Sequence, residues 1–352
     1  MAFSFFQKKD LVGLDVGSGA IKLVGLDRSR KGHVLQAFGV KPLDPELIVD
    51  GRVMDVGRVV SVIKDLVAEQ TIKIHDVALS VSGHSVIVKK IALPVMTENE
   101  LRGSIKWEAE QYIPFDMNDV NLDFHILGQS HGPNAELQMD VILVAIKKDK
   151  LAEYTALVEE AGLDPVVVDV DAFTLENMYN LNYEFRQGET TAILNVGASV
   201  VNIHIMQGGQ FSLTRDISMG GWRYNEMIQR EFSVSDQQAE AAKRMEPVEG
   251  IDPERLVTVM DGVNKEIATE VARSLDYYKT TAGIERIDRV MISGGVYSVP
   301  NLIPHLNSRL GIEVEIVNPF SKVQISPKQF DMDYIQKMAP AAAVCVGLAM
   351  RR

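Results

Sequence analysis

The chain has 352 residues, a net charge of −12 and a hydrophobic content of 46%. These values indicate a globular protein of two domains with a sizeable core, and the acidic excess argues against nucleic acid as the main partner. The single cysteine, Cys345, excludes an internal disulfide, and the longest apolar run, residues 338–350, is shorter than the roughly 20 residues that a membrane-spanning helix needs.

The chain opens with a Phe-rich segment, residues 1–9, that lacks the pattern of a secretory signal. Membrane or partner contact, fraying and pairing at a sheet edge all remain open for it. Alternating and buried-type apolar patterns then predict strands over residues 11–16, 20–27 and 33–42.

The turn between the first two strands contains Gly17, Ser18 and Gly19. Small residues let a ligand approach the backbone, and successive N–H groups in a turn can bind an anion. Asp15 precedes the turn; a carboxylate cannot bind phosphate directly, so its natural role there is to hold a hydrated Mg²⁺. Lys22 either reaches the phosphate or is solvated.

The next predicted elements are a helix over residues 55–70 and strands over 77–82 and 85–93. Residues 94–165 then read as helix, two strands and helix, and the helix begins at a capping box formed by Thr97 and Glu100. We interpret this block as an inserted interaction subdomain. Its aromatic residues serve either as a partner surface or as its own core; they are Trp107, Tyr112 and Phe115.

The first hairpin is repeated half a chain later. Strands are predicted over residues 192–196, 200–206 and 210–217. Asn195 aligns with Asp15 and Gly197 with Gly17, so that Gly197, Ala198 and Ser199 form the equivalent turn. The repeat predicts two related halves that face each other across a cleft.

The remainder of the second half is predicted to contain a helix from Gly221 to Phe232 and a polar, helical stretch over 233–262. A further helix spans residues 264–281, where Glu270 and Arg273 are one turn apart. Residues 290–302 read as a strand, a turn at Gly294 and Gly295, and a helix start. This arrangement suits a nucleotide, because glycine permits close approach and the helix dipole favours anions.

The order of these motifs resembles the actin, Hsp70 and sugar-kinase superfamily. The first phosphate loop would be residues 15–22, the first connecting segment 166–177, the second phosphate loop 195–202, the adenosine loop 293–301 and the second connecting helix 339–350. Within that superfamily the chain resembles the PilM family of type IV pilus assembly, with FtsA as the next relative. The stretches that carry this closer resemblance are residues 6–18, 93–115 and 214–221.

The resemblance implies an α/β, actin-like ATPase fold with two duplicated mixed-sheet domains around a nucleotide cleft and an FtsA-type inserted subdomain. The first domain would comprise residues 10–93, 166–190 and 339–352, and the inserted subdomain residues 94–165. The second domain would comprise residues 191–338, with a smaller helical, mobile lobe at about 222–283.

The resemblance also assigns roles at the site. ATP and Mg²⁺ are the implied ligands, with Asp15 and Asn195 holding the metal through water and Tyr297 in the adenosine loop. Asp171 takes the place where relatives position the attacking water; Asp169 is the fallback. Asp171 could instead be a helix N-cap.

Two further residues, Glu270 and Arg273, would contact the adenosine, with a surface ion pair as the alternative. Asn195 stands where active relatives have aspartate, so we expect ATP binding with slow or negligible turnover.

The resemblance implies a scaffold that binds the cytoplasmic N-terminal tail of PilN, and through it the PilO and PilP proteins. Pilus motor ATPases and the platform protein are further implied partners, and a homo-oligomer or ring stays open. The implied location is the cytoplasm at the periphery of the inner membrane, with only indirect membrane contact. The alternatives are an FtsA-like division ATPase and a small-molecule kinase of the sugar-kinase branch.

Overall fold

The computed structural model describes residues 11–29, 32–70, 75–132 and 135–351. The Phe-rich start of the chain, for which the sequence left several roles open, lies outside the described residues. No helix within these ranges is both long enough and apolar enough to cross a membrane.

The elements follow one another in an alternating α/β order. The first group is β1 (Val12–Val16), β2 (Ala20–Ser29), β3 (Gly32–Pro42), β4 (Ile48–Val49), β5 (Arg52–Val53), α1 (Val56–Glu69) and β6 (Asp76–Val81). The second group is β7 (Val86–Pro94), α2 (Glu98–Glu110), β8 (Val120–His131), β9 (Leu137–Lys147), α3 (Lys148–Glu160), β10 (Asp164–Val170) and α4 (Asp171–Asn182).

The second half begins with β11 (Thr190–Val196), β12 (Val201–Gln207), β13 (Gln210–Ile217), α5 (Gly221–Phe232), α6 (Asp236–Lys243) and α7 (Pro253–Ala282). It continues with β14 (Arg289–Ser293), α8 (Leu302–Leu310), β15 (Val314–Ile316), β16 (Val323–Gln324) and α9 (Met332–Met338). A 3-10 helix (Ala339–Ala342) and α10 (Ala343–Ala349) end the described chain.

Two mixed sheets carry the predicted duplication. Five strands of the first sheet have the order β10-β6-β1-β2-β3, and the second sheet has the order β15-β14-β11-β12-β13. In each sheet, neighbouring strands among the last three of this order are antiparallel, and the first two strands are parallel to the middle strand. The register also repeats, because Asp15 is opposite Lys22 and Asn195 is opposite Asn202. The duplicated α/β fold expected from the sequence is confirmed.

Helices α4 and α10 pack between the two halves. Their apolar side chains share one cluster with residues of both sheets, such as Val24 of β2 and Ile193 of β11. The packing is close: a Cβ on Gly347 would lie 1.8 Å from the Thr174 carbonyl oxygen, and one on Gly13 would lie 2.3 Å from that of Cys345. This shared layer holds the first residues of α4 at the junction of the two sheets.

The inserted lobe forms a separate three-stranded sheet in the order β7-β9-β8, covered by α2. The predicted capping box at Thr97 and Glu100 is confirmed. The residues that pack together in the lobe differ from the predicted block 94–165 at both ends. β7 pairs with β9, so the lobe's sheet begins at Val86, whereas α3 places Tyr154 and Leu157 in the core of the first half.

Helix α7 is longer than the sequence predicted. It begins at Pro253 because the Asp252 side chain accepts from the Arg255 N–H and proline fits the first helical position. Leu256 and Met260, within the stretch interpreted as polar, pack into the core of the second half.

Candidate functional site

The two glycine turns have the same geometry. Each is closed by a backbone bond from its first glycine, Gly17 N to Ala20 O at 3.2 Å and Gly197 N to Val200 O at 2.9 Å. No backbone carbonyl among the described residues accepts from the N–H groups of Ser18 or Ala198. These two N–H groups are therefore not used to close the turns, and N–H groups in such turns can bind an anion.

The two turns also touch each other. The hydroxyl oxygens of Ser18 and Ser199 are 2.8 Å apart, and a Cβ on Gly19 would lie 2.7 Å from the Cβ of Ala198. Glycine is required here because any side chain would push the halves apart. The predicted phosphate-loop residues of both halves therefore lie against each other.

Each turn is stabilised by a cross-strand pair at the equivalent position. In the first half, the Lys22 ammonium donates to Asp15 Oδ2 at 2.7 Å. In the second half, Asn195 Nδ2 donates to Asn202 Oδ1 at 3.1 Å. The pair is ionic in the first half and neutral in the second.

Lys22 is directed at its own turn. Its side chain is 14% exposed, and its Nζ would lie 3.4 Å from a Cβ on Gly17. Burial alone would lower the lysine pKa, but the charge and hydrogen bond of Asp15 outweigh burial and the pKa is raised. The ammonium is thus charged and beside the turn rather than solvated.

The carbonyl groups of the second turn are held by helix α5. Gly221 N donates to Gly197 O at 2.9 Å, and Trp222 N donates to Ala198 O at 2.8 Å. A Cβ on Gly220 would lie 2.5 Å from Gly197 O, so this approach also requires glycine. The helix start therefore fixes the orientation of the turn's peptide groups.

Asp171 is partly buried at the start of α4 and faces Asp15. Burial is the main cause that raises its pKa to about 6, and the charge of Asp15 raises it further. Hydrogen bonds from Ser80, 2.6 Å from Oδ1, and from Ser82 lower the pKa but do not compensate. The N-cap of α4 is Val170, so the alternative reading of Asp171 as a cap is wrong.

Asp169, the fallback, has other partners. Its carboxylate pairs with Arg351 and accepts from the Val170 N–H at 2.8 Å. These bonds engage both of its oxygens, whereas Asp171 is bound by hydroxyl groups and faces another carboxylate. Of the two aspartates, Asp171 has the surroundings of a residue that could orient or deprotonate water.

The Gly-Gly turn lies against the end of β11. Gly294 has a φ of +94°, and a Cβ there would lie 2.3 Å from Val196 O. A Cβ on Gly295 would meet nothing within 4 Å, so its backbone borders open space. Ser293 Oγ is 3.4 Å from Asn195 Oδ1, and the Tyr297 hydroxyl donates to Lys337 O at 2.9 Å. The turn is thus joined to the second phosphate loop.

Glu270 and Arg273 are placed differently. Their charged groups pair with each other at 2.8 Å on the surface of α7. The next residue along this side of the helix, Tyr277, lies under Arg215 of β13, at the sheet edge remote from β14. The structure does not bring this pair to the Gly-Gly turn, and the observed contact is the surface ion pair left open as the alternative.

Several residues at the site were not singled out by the sequence. Asp216 accepts from Gly83 N and from Asn202 Nδ2, both at 2.8 Å. Lys243 of α6 lies behind the second turn, with its Nζ 3.4 Å from Gly221 O. Asp216 lies within residues 214–221, which had contributed only to the family resemblance, and α6 fell in the stretch interpreted as polar. No local pattern marks either residue as part of a cleft.

The site has oxygen donors of the kind that Mg²⁺ prefers. These donors are the carboxylates of Asp15 and Asp171 and the amide oxygen of Asn195, whereas both oxygens of Asp216 already accept hydrogen bonds within the protein. Within the described part of the chain, no three His, Cys, Asp or Glu side chains are grouped to hold a metal directly. The donors therefore fit a hydrated magnesium ion, held through its water molecules, better than a directly ligated one.

A sequence profile of the family described as "Type IV pilus assembly protein PilM" matches residues 13–352. The chain belongs to the PilM family. A solved structure described as the PilM-PilN type IV pilus biogenesis complex is similar over 97% of this chain and 98% of its own, with 28% identity and a TM-score of 0.84. The resemblance inferred from the motifs is confirmed over both halves and the inserted lobe.

A more distant match supports the fold alone. The ethanolamine utilization protein EutJ from Carboxydothermus hydrogenoformans is 15% identical, with a TM-score of 0.59, over 97% of this chain and 89% of its own. The PilM-family chain described here has an actin-like ATPase fold.

Proposed function

We propose that this chain is an ATP-binding, actin-like scaffold of type IV pilus assembly that binds the cytoplasmic N-terminal tail of PilN. The observation that carries the nucleotide part is the contact between the two glycine turns through Ser18 and Ser199. The PilN part rests on family membership and on the similarity to a chain solved in a PilM-PilN complex.

In this proposal the phosphates of ATP lie between the turns of residues 17–19 and 197–199, bound by the N–H groups of residues 18, 19, 198 and 199, because those of Gly17 and Gly197 close the turns. Lys22 supplies the positive charge, while Asp15 and Asn195 hold Mg²⁺ through water. The magnesium ion would neutralise phosphate charge. The base would lie near Gly294, Gly295 and Tyr297. Phosphate would thus replace the direct contact between the serine hydroxyls.

Turnover should be slow. Asn195 offers the hydrated metal an amide oxygen but no negative charge, and its NH₂ group donates to Asn202. Asp171 would orient the attacking water and is ionised at neutral pH, because its pKa is about 6. A site that binds tightly and reacts slowly suits a scaffold, in which nucleotide selects a conformation rather than driving repeated chemistry.

The wider assembly follows from the same proposal. PilN would connect the chain to PilO and PilP, and the motor ATPases and platform protein would be its cytoplasmic neighbours. The chain would act in the cytoplasm at the periphery of the inner membrane, with a homo-oligomer or a ring left open. We also retain the predicted mobile lobe at about 222–283 as part of the proposal.

The test is calorimetric binding of a synthetic PilN N-terminal peptide with and without Mg-ATP, together with phosphate release. We expect peptide binding that Mg-ATP modulates and little phosphate release. Lys22→Gln should lose ATP binding, whereas Lys90→Gln, which removes a cation paired with Asp140 in the inserted lobe, should keep it. Absence of peptide binding combined with rapid, acceptor-dependent turnover would replace the scaffold with a kinase.

A further inference from the structure

Asp216 lies near the end of β13 and connects the two halves of the molecule. Its Oδ1 accepts from Asn202 Nδ2 in its own half, and its Oδ2 accepts from Gly83 N in the first half, both at 2.8 Å. Asn202 in turn accepts from Asn195 at the second glycine turn, at 3.1 Å. Three consecutive hydrogen bonds therefore run from the phosphate-loop strand to Gly83.

Gly83 belongs to the turn that leads into the inserted lobe. The turn, Ser82 to His84, follows β6 and precedes β7, which is a strand of the lobe's own sheet. Gly83 has a φ of +83° and accepts from Val86 N at 3.0 Å, so the turn is joined directly to the start of β7. A movement of the Gly83 peptide is thus passed to the lobe through one turn of chain.

The same turn contacts the site in two further places. Ser82 lies close enough to Asp171 to lower its pKa, and His84 Nε2 lies 3.0 Å from Ser218 Oγ, two residues beyond Asp216. Asp216 and Asp171 are close enough that the charge of Asp216 raises the Asp171 pKa. The turn is therefore bonded to Asp216 and lies beside Asp171, the carboxylate expected to position the attacking water.

We propose that Asp216 transmits nucleotide occupancy to the inserted lobe. Ligand at the second glycine turn shifts the Asn195 amide, and the Asn202–Asp216–Gly83 hydrogen bonds carry the shift to the start of β7. The lobe then changes its orientation or stability. In this proposal Asp216 is a positioning residue that touches neither the nucleotide nor Mg²⁺. This inference rests on the proposed function, since it requires nucleotide in the cleft.

The donors and acceptors of these three hydrogen bonds allow a specific test. Both oxygens of Asp216 accept, so Asp216→Asn places an NH₂ group against one of its donors and breaks that bond. Adding Asn202→Asp restores complementarity. Asp at 202 would accept from Asn195 and from the new amide at 216, while the amide oxygen at 216 would accept from Gly83. The double variant Asp216→Asn/Asn202→Asp, here called the exchanged pair, thus makes all three bonds with the same net charge as the native residues.

The experiment is hydrogen–deuterium exchange of the full chain, followed by mass spectrometry, with and without Mg-ATP. Nucleotide affinity is measured separately by calorimetry. The matched control is Asp288→Asn, because Asp288 also accepts from a backbone N–H, that of Thr190, and from a side chain, but within one half. Thermal melting identifies any variant that does not fold.

In the native protein, Mg-ATP should slow exchange at residues 82–94 and in the lobe's sheet by about threefold or more. Asp216→Asn should bind Mg-ATP as tightly as the native chain but lose this protection. The exchanged pair should regain it, and Asp288→Asn should never lose it. If Asp216→Asn cannot fold, the exchanged pair alone tests the inference, because Mg-ATP must then protect its lobe as it protects that of the native chain.

Retained lobe protection in Asp216→Asn would overturn the inference, as would a lobe that does not respond to Mg-ATP in the native chain. Loss of Mg-ATP binding in Asp216→Asn would also overturn it, because Asp216 would then act on the ligand itself. Failure of the native protein to bind Mg-ATP is a separate outcome that refutes the proposed function.

Discussion

Ser18 and Ser199 are 181 residues apart in the chain, and their hydroxyl oxygens share a hydrogen bond of 2.8 Å. This bond joins the two halves at the position where a phosphate would bind. In the proposed function the phosphate competes with this contact, so the two serines report directly on whether ligand enters between the turns.

A double-mutant cycle with Ser18→Ala and Ser199→Ala tests this competition. Without nucleotide we expect a coupling energy of about 1 kcal/mol in urea unfolding, the usual size for one hydrogen bond. With saturating Mg-ATP the coupling should fall towards zero, because each hydroxyl then bonds to phosphate instead. An unchanged coupling energy with bound Mg-ATP would mean that the phosphates do not enter between the turns.

Lys22→Met should be both destabilising and unable to bind ATP well. It leaves the partly buried Asp15 carboxylate without its cation, which should cost about 1–3 kcal/mol in the free energy of unfolding, and should weaken ATP binding about tenfold or more. Lys41→Met removes a cation from an exposed pair with Glu69 and should leave both quantities unchanged. Equal effects of the two substitutions would remove Lys22 from the site.

Gly19→Ala should separate the turns. Its Cβ would lie 2.7 Å from Ala198 Cβ, well inside the contact distance of about 3.5–4.0 Å between carbon atoms. We expect a loss of about 1–3 kcal/mol in stability and weaker ATP binding. Gly103→Ala, in α2 with nothing within 4 Å of the new carbon, should instead gain up to about 1 kcal/mol. Chemical denaturation and calorimetry measure both variants.

Asp171→Asn should stabilise the protein above pH 6. The pKa of Asp171 is raised from 3.8 to about 6, so the fold favours the protonated carboxyl. This contribution is complete below about pH 4 and is lost as pH rises through about 6. The variant avoids that loss and should gain about 2 kcal/mol at pH 7.5 but little at pH 4.5. Melting temperatures across this range measure the difference.

Asp169→Asn is the natural comparison, because it should lower the melting temperature at pH 7.5 by breaking the pair with Arg351. Opposite signs for the two variants would support the assignment of Asp171, rather than Asp169, to the site. If Asp171→Asn were destabilising at pH 7.5, the cost of burying the Asp171 charge beside Asp15 would not be the dominant effect there.

The sequence by itself determined the local structure and the duplication. Strand alternation and the glycine turns at Gly17 and Gly197 depend on neighbouring residues, so their positions and equivalence could be predicted before the fold was known. The same is true of the capping box at Thr97, whose donors and acceptors are three residues apart. The superfamily followed from the order of these local motifs, and the PilM family from the stretches at residues 6–18, 93–115 and 214–221.

Only the tertiary structure decided which residues meet. Asp169 and Asp171 are two positions apart, but the chain changes from strand to helix between them, so the side-chain alternation of a strand no longer applies. As a result, Asp169 pairs with Arg351 whereas Asp171 faces Asp15. Asp216 is remote in sequence from Gly83, and Ser18 from Ser199, and no local pattern encodes either contact. These contacts arise because α4 and α10 pack between the halves and fix the two sheets against each other, which depends on shape complementarity across the whole chain.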